Sequence, residues 1–286
     1  MPTKTEKDEF SGTLTTGHEW DGIKELNTPL PRWWIWVFVI CVIWSIGYWV
    51  VMPAWPGFDG FSRGVIGYSQ RAVVAEKLSA AEEARRPFAN KLAQTELAEV
   101  ESDPDLLSFA LAAGQSAFAV NCVQCHGGGG VGAPGFPSLI DDAWLWGGTL
   151  AEIEHSLRVG IRSTHPDTRN NQMPAFLVDG LLTEAEVRTV ARYVQSLAAG
   201  DASAGAGATL YADNCAVCHG DNGEGNMELG APRLADSIWV YGGDLDTIIQ
   251  TISRSRAGVM PAWEDRLDDA TIKSLAVYVH SLGGGL

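Results

Sequence analysis

Two stretches of this chain place two cysteines and a histidine where one prosthetic group could use all three. Cys122-Val123-Gln124-Cys125-His126 and Cys215-Ala216-Val217-Cys218-His219 share the spacing C-x-x-C-H. Two thiols so spaced can bond covalently to the two vinyl groups of a porphyrin. The next histidine then falls under the iron, which is the attachment pattern of c-type haem. A thioredoxin-like cysteine pair needs no histidine, and no βαβ pattern surrounds either motif. One zinc site built from both pairs is possible on spacing but leaves both histidines without a use. Two covalently bound haem c groups are therefore expected, on Cys122, Cys125, Cys215 and Cys218, with His126 and His219 as proximal iron ligands.

A thioether as the second axial ligand would saturate the iron and raise its potential, favouring electron transfer over O₂ binding. Met173 and Met260 are the candidates, each followed by Pro, Ala and an aromatic residue. A packing role is the alternative for any methionine, but the matched surroundings favour ligation. Met227 follows the second motif closely and has no counterpart. His155 aligns with Gln250 and His280 with Gln195, so neither passes the same test. His165 lies in an unmatched loop and remains a minor alternative ligand. Whether each methionine serves its own repeat or the other one stays open.

These residues sit in two copies of one pattern. GQSAFAVNCVQCH (114–126) matches GATLYADNCAVCH (207–219), and PSLIDDAWLWGGTL (137–150) matches PRLADSIWVYGGDL (232–245). TEAEVRTVARYVQSL (183–197) matches DDATIKSLAVYVHSL (268–282). Each copy reads as a helix into C-x-x-C-H, a Gly-rich loop, a short helix, a methionine loop and a last amphipathic helix. Thr183 with Glu186 forms a capping box, and Val187, Val190, Ala191, Val194 and Leu197 recur at helical spacing. AAGDASAGAGA (198–208) is a short flexible linker between the copies. Ahead of them, SQRAVVAEKLSAAEEARR (69–86) has helical composition and is expected to stop before Pro87.

Residues 33–52, WWIWVFVICVIWSIGYWVVM, carry no charge. As a helix they span about 30 Å, the thickness of a bilayer core. Trp33, Trp34 and Trp36 at one end, with Tyr48, Trp49 and Trp55 near the other, form an aromatic belt. The apolar run and its polar leader are too long for a cleaved signal peptide, and no small-x-small site follows, so the segment reads as an uncleaved anchor. Cys41 within it reads as a packing residue. Flanking Lys24, Arg32, Arg63 and Arg71 do not set its orientation. Covalent haem c does, because in bacteria it is attached outside the cytoplasmic membrane. A net charge of −15 excludes nucleic acid as a natural partner and suits a soluble partner with a basic face.

Both copies, over 109–198 and 205–284, resemble class I cytochrome c domains. The resemblance implies that the carbonyls of Pro137 and Pro232 orient the proximal histidines. It also implies that Gly114 with Phe118, Gly207 with Tyr211, and Tyr193 and Tyr278 mark the close crossing of terminal helices. A narrower resemblance comes from TTGHEWDGIKELNTPLPRWWIWVF (15–38) and GYSQR (67–71). With one span and two haem domains, these are similar to the diheme subunit of cbb3-type cytochrome c oxidase, called CcoP or FixP.

The expected architecture is mainly α. It comprises a cytoplasmic segment (1–32), a transmembrane helix (33–52), a periplasmic connector (53–108) and two tandem cytochrome c domains (109–200 and 205–286). The resemblance implies an electron-transfer subunit in the bacterial inner membrane, with its haem domains in the periplasm. It implies electrons taken from a soluble cytochrome c or the bc1 complex. They would pass to the monohaem subunit and to the catalytic b-haem and copper subunit, where proton-pumping O₂ reduction occurs. Residues 15–32 would be the cytoplasmic docking element. A free-standing, membrane-tethered diheme shuttle for another reductase or dehydrogenase shares every haem feature. A haem sensor or peroxidase would need an open iron position, against which both methionines stand.

Overall fold

Asp21 and Gly22 both adopt left-handed backbone angles, with φ of 50° and 84°. An Asp-Gly pair so disposed makes the tight turn whose twist matches paired strands. It joins β1 (Thr15–Trp20) to β2 (Ile23–Leu26) in an antiparallel hairpin. Lys24 closes this element with an ion pair to Glu6 at 2.6 Å, and the amide of Glu6 donates to Thr15 Oγ1 at 3.0 Å. The expected polar leader thus has a structure of its own. This computed structural model describes residues 4–53 and 55–283; the outer ends of the expected first and last segments lie outside those residues.

Helix α1 runs from Arg32 to Val51 and buries none of its residues, as an apolar helix meant for lipid would. A second small hairpin pairs β3 (Pro56–Gly57) with β4 (Gly60–Phe61). Helix α2 then spans Gln70–Gln94 and passes through Pro87 without ending there. Proline removes one helical hydrogen bond, at a cost of about 3 kcal/mol. The turns beyond it are held from outside: Phe88 stacks on Phe109 at 5.5 Å and Leu92 is fully buried.

The chain divides into two units, 1–81 and 82–286. The second is all helix and loop among its described residues. It contains the end of α2, then α3 (Leu97–Val100), α4 (Pro104–Asn121) and the single turn α5 (Val123–His126). Next come α6 (Leu150–Val159), α7 (Glu184–Ala199), α8 (Ala206–Asn214) and the single turn α9 (Ala216–His219). Helices α10 (Leu245–Arg254) and α11 (Asp269–His280) complete it. Side chains of Asp103, Thr149, Thr183, Asp244 and Asp268 each accept an amide at the start of a helix, which is why these helices begin where they do. The Thr183 capping box forms as expected, and Val187, Val190, Ala191, Val194 and Leu197 are all buried.

Two hydrophobic cores result, and neither is built from one repeat. The first joins α4 and α6 of the first repeat to α11 of the second, through Leu106, Ala110, Phe118, Ile153, Leu157, Ile272 and Leu275. The other joins α7 of the first repeat to α8 and α10 of the second, through Val187, Val190, Val194, Tyr211, Ile248 and Ile252. The segments 109–200 and 205–286 are therefore consecutive copies in sequence but not separate bodies in space. The reason lies at their junction. Only a short link separates α7 from α8, and so short a link leaves consecutive helices packed as neighbours. Helix α7 is then committed to α8 and cannot also cover α4.

The first core also reaches back beyond residue 109, taking in Leu92, Leu97 and Val100. The expected connector 53–108 thus ends inside a folded unit. Leu92→Ala should cost about 2–5 kcal/mol, as for other fully buried leucines, and lower the Tm of the full chain in detergent. A leucine in a solvated tether would leave the Tm unchanged.

Candidate haem centres

Helix α4 ends at Cys122, which is also the residue from which the turn α5 starts. One turn of helix then brings Cys125 and His126 to the same end of α4. Helix α8, Cys215 and the turn α9 repeat the arrangement for Cys218 and His219. All four thiols are free; Cys122 is buried, Cys125 exposed, and Cys215 and Cys218 half-buried. Burial, with a smaller contribution from the neighbouring cysteine, pushes the Cys122 and Cys215 thiols up to about 11.

Both imidazoles are oriented in the same way. His126 Nδ1 lies 3.0 Å from the Pro137 carbonyl oxygen, and His219 Nδ1 lies 2.9 Å from that of Pro232. A carbonyl can only accept, so Nδ1 carries the proton and Nε2 is left with a lone pair for a metal. Burial lowers the pKa of both histidines, and the proline carbonyls partly oppose it. Each ring is thus neutral at neutral pH, the form that binds iron.

The methionine loops cross over. Met260 packs against the first core, the one that holds Cys122 and Phe118. Met173 packs against the other, beside Cys215, Ala216 and Tyr211. Backbone bonds hold each loop at its adopted site. The Met260 amide donates to Ile161 O at 3.0 Å, and Trp263 donates to Leu157 O at 3.0 Å on α6. In the matching place, Phe176 donates to Ile252 O at 3.0 Å on α10, and Ser255 Oγ donates to Met173 O. Cys122, Cys125 and His126 are therefore grouped with Met260, and Cys215, Cys218 and His219 with Met173.

The crossing of helices explains two glycines. A Cβ on Gly114 would lie 2.1 Å from the Ser274 carbonyl oxygen and 2.6 Å from Tyr278 Cβ, both on α11. A Cβ on Gly207 would lie 2.8 Å from Tyr193 Cβ on α7. These are the close approaches that the resemblance implied, with their partners exchanged between repeats. His165 is engaged elsewhere: its Nδ1 accepts the Asp167 amide at 3.1 Å, and its Nε2 lies 3.4 Å from Glu264. Among the described residues no three His, Cys, Asp or Glu side chains converge as a metal site. The donor set fits haem c twice over: paired free thiols, an oriented neutral imidazole and a thioether.

Sequence reasoning passed over one paired feature. Arg169 stacks over Trp146 with Cζ 5.2 Å from the ring centre, and Arg256 over Tyr241 at 4.6 Å. The signal was available, since RNNQMPA (169–175) matches RAGVMPA (256–262).

Residues 12–59 match the family described as the N-terminal domain of cytochrome oxidase-cbb3, FixP. Residues 111–198 match cytochrome c, and residues 202–279 match cytochrome c oxidase, cbb3-type, subunit III. The chain is 55% identical over 289 residues to a cbb3-type cytochrome c oxidase subunit FixP of Bradyrhizobium sp. (strain ORS 278), covering all of both chains. It is 50% identical to a subunit CcoP of Azospirillum brasilense, over 98% of each chain. It is 46% identical to a subunit CcoP of Cereibacter sphaeroides, over all of both chains. These likenesses and the two cytochrome c matches imply covalently bound haem c.

Proposed function

The chain belongs to the FixP and CcoP subunits of cbb3-type cytochrome c oxidases, and on that premise we propose which residues hold its haems and where its electrons come from and go. As such a subunit it acts in electron transfer within an oxidoreductase complex, with the other oxidase subunits as partners. The finer reading is that His126 and Met260 ligate the iron of the haem on Cys122 and Cys125. His219 and Met173 ligate that of the haem on Cys215 and Cys218. The grouping of side chains around the two cores is the observation that carries this assignment.

Bound haem c supplies reversible one-electron chemistry. The protein's own part is to keep the iron closed to other ligands and the geometry fixed. Pro137 and Pro232 fix the imidazole tautomers, so that Nε2 of His126 and His219 would be free to hold iron. Met173 and Met260 would complete the protein's hold on each iron and so would disfavour O₂ binding. Phe118 and Tyr278, 5.4 Å apart, and Tyr193 and Tyr211, also 5.4 Å apart, fill the helix crossings.

Electrons would enter from a soluble cytochrome c or a bc1 complex. They would leave for the monohaem subunit and the catalytic b-haem and copper subunit. A net charge of −15 favours a donor with a basic face. Helix α1, apolar on all sides, would cross the inner membrane beside the catalytic subunit's helices. Residues 53–286 would face the periplasm, and the β1–β2 hairpin the cytoplasm.

Purification of the tagged chain from its native membranes in mild detergent tests this reading. Haem b, copper and O₂ uptake driven by reduced cytochrome c should come with it, and the uptake rate should fall as salt rises. A lone c-type protein, from an extract whose oxidase is otherwise intact, would point to the free-standing shuttle instead.

A further inference from the structure

Each C-x-x-C-H histidine is held at two points by a short loop of its own repeat. The Gly132 amide donates to His126 O at 2.7 Å, and Pro137 O accepts from the His126 ring, so 132–137 closes on that residue. Within it, Ala133 and Phe136 exchange backbone hydrogen bonds of 3.1 and 2.7 Å. The second repeat builds the same device over 225–232. The Gly225 amide donates to His219 O at 2.8 Å, and Pro232 O accepts from the His219 ring. Asn226 and Ala231 exchange backbone bonds of 2.9 Å each. The positions of the two proline carbonyls thus depend on the shape of two small loops.

Each loop is braced by the other repeat. Gly230, two residues before Pro232, has a φ of 61° and lies against the indole of Trp146. A Cβ there would fall 2.2 Å from Trp146 Cε2. Trp146 belongs to the first repeat and is buried. Asn171, also of the first repeat, donates through Nδ2 to Leu229 O at 2.6 Å. The mirror contact is present. Gly135, two residues before Pro137, has a φ of 90°, and a Cβ on it would lie 3.4 Å from Cε1 of Tyr241 in the second repeat. The Gly135 amide donates to Val240 O at 2.7 Å. Trp146 and Tyr241 are equivalent in the two copies, each standing before a Gly-Gly pair. Arg169 and Arg256 cover these same two rings and help to hold them in place.

Glycine serves both functions at the contact: it takes the left-handed backbone angle and lets a ring approach the main chain. An aromatic side chain supplies a large, stiff surface to press on it. We propose that Trp146 and Tyr241 are positioning residues for the opposite repeat's histidine. Trp146 holds the Pro232 carbonyl against His219, and Tyr241 holds the Pro137 carbonyl against His126. The inference rests on the haem centres proposed above. A carbonyl that accepts from Nδ1–H makes the imidazole more basic at Nε2. Stronger donation by an axial ligand favours oxidised iron. A brace on the carbonyl is therefore a brace on the potential, and it runs from one repeat to the other. The contact at Gly230 is the tighter, so the haem on Cys215 and Cys218 depends more on its brace.

The experiment is a potentiometric titration of the full haem-loaded chain. A companion chain carrying Cys122→Ala and Cys125→Ala tells which step belongs to which motif. Trp146→Ala should raise the potential of the haem on Cys215 and Cys218, favouring its reduced form by roughly tenfold, about 59 mV for one electron. The haem on Cys122 and Cys125 should keep its native potential, although Trp146 lies in that repeat. Hydrogen exchange should rise over 225–232 and not over 132–137. Trp146→Phe, which keeps a ring, should give a smaller shift of the same sign. Tyr241→Ala should move the haem on Cys122 and Cys125 instead, and by less. An unchanged potential for the haem on Cys215 and Cys218, an equal shift of both haems, or a shift confined to the haem on Cys122 and Cys125 would overturn the proposal. If Trp146→Ala fails to hold haem, Trp146→Phe decides by the same criteria. Failure of the haem centres themselves would show differently, as absence of covalent haem in the unsubstituted chain.

Discussion

Replacing Met260 with histidine should lower the potential of the haem on Cys122 and Cys125 and leave the haem on Cys215 and Cys218 near its native value. Imidazole donates electron density to iron more strongly than a thioether and so favours the oxidised state. A drop on the order of 0.2 V is reasonable within the roughly 0.8 V that axial ligation spans. Met173→His should do the reverse. Redox titration of each variant reads both potentials. A companion chain carrying Cys215→Ala and Cys218→Ala tells which step belongs to which motif. The arrangement of the two cores demands this crossed result, because Met260 packs with Cys122 and Met173 with Cys215. If Met260→His moved the haem on Cys215 and Cys218 instead, each repeat would be closing on itself. Two unchanged potentials would dismiss both methionines as ligands.

Gly114→Val should dismantle the first centre. Its Cβ would meet the Ser274 carbonyl oxygen at 2.1 Å, and backbone on a packed helix cannot yield as a side chain can. The cost should reach the upper end of the overpacking range, about 3 kcal/mol or more. Helix α11 would separate from α4 and draw Met260 away from His126. Hydrogen exchange should then rise across 269–280, the segment that covers α4, and not across 184–199. The Met-to-iron charge-transfer absorption of that centre should vanish while the other persists. Exchange rising in 184–199 instead would mean that α7, not α11, covers α4. Gly207→Val gives the mirror experiment, with Tyr193 and α7 as the disturbed partners.

Features that depend on a few adjacent residues were readable from the chain alone. The C-x-x-C-H turns, the Thr183 capping box and the buried stripe of α7 all form as their spacing implied. So did the long apolar helix, because twenty uncharged residues leave few alternatives. Asp21-Gly22 was legible in principle as a hairpin turn, but its short polar strands lack the alternating apolar pattern that marks a strand. Pro87 misled, because a local helix breaker was outweighed by contacts of Phe88 and Leu92 that are remote in sequence.

By itself the sequence determined the chemistry to be expected of this protein: two C-x-x-C-H motifs, two candidate histidine and two candidate methionine ligands, and one membrane-length helix. Which methionine shares a core with which cysteine motif was decided by the tertiary structure alone. The two repeats present near-equivalent surfaces. Gly114 and Gly207 can each receive a tyrosine-bearing last helix, and Tyr193 and Tyr278 are interchangeable for that purpose. Local preference cannot choose between such copies. The choice comes from chain connection: the short link makes α7 and α8 partners, α11 is left to cover α4, and the methionine loops must follow their helices across.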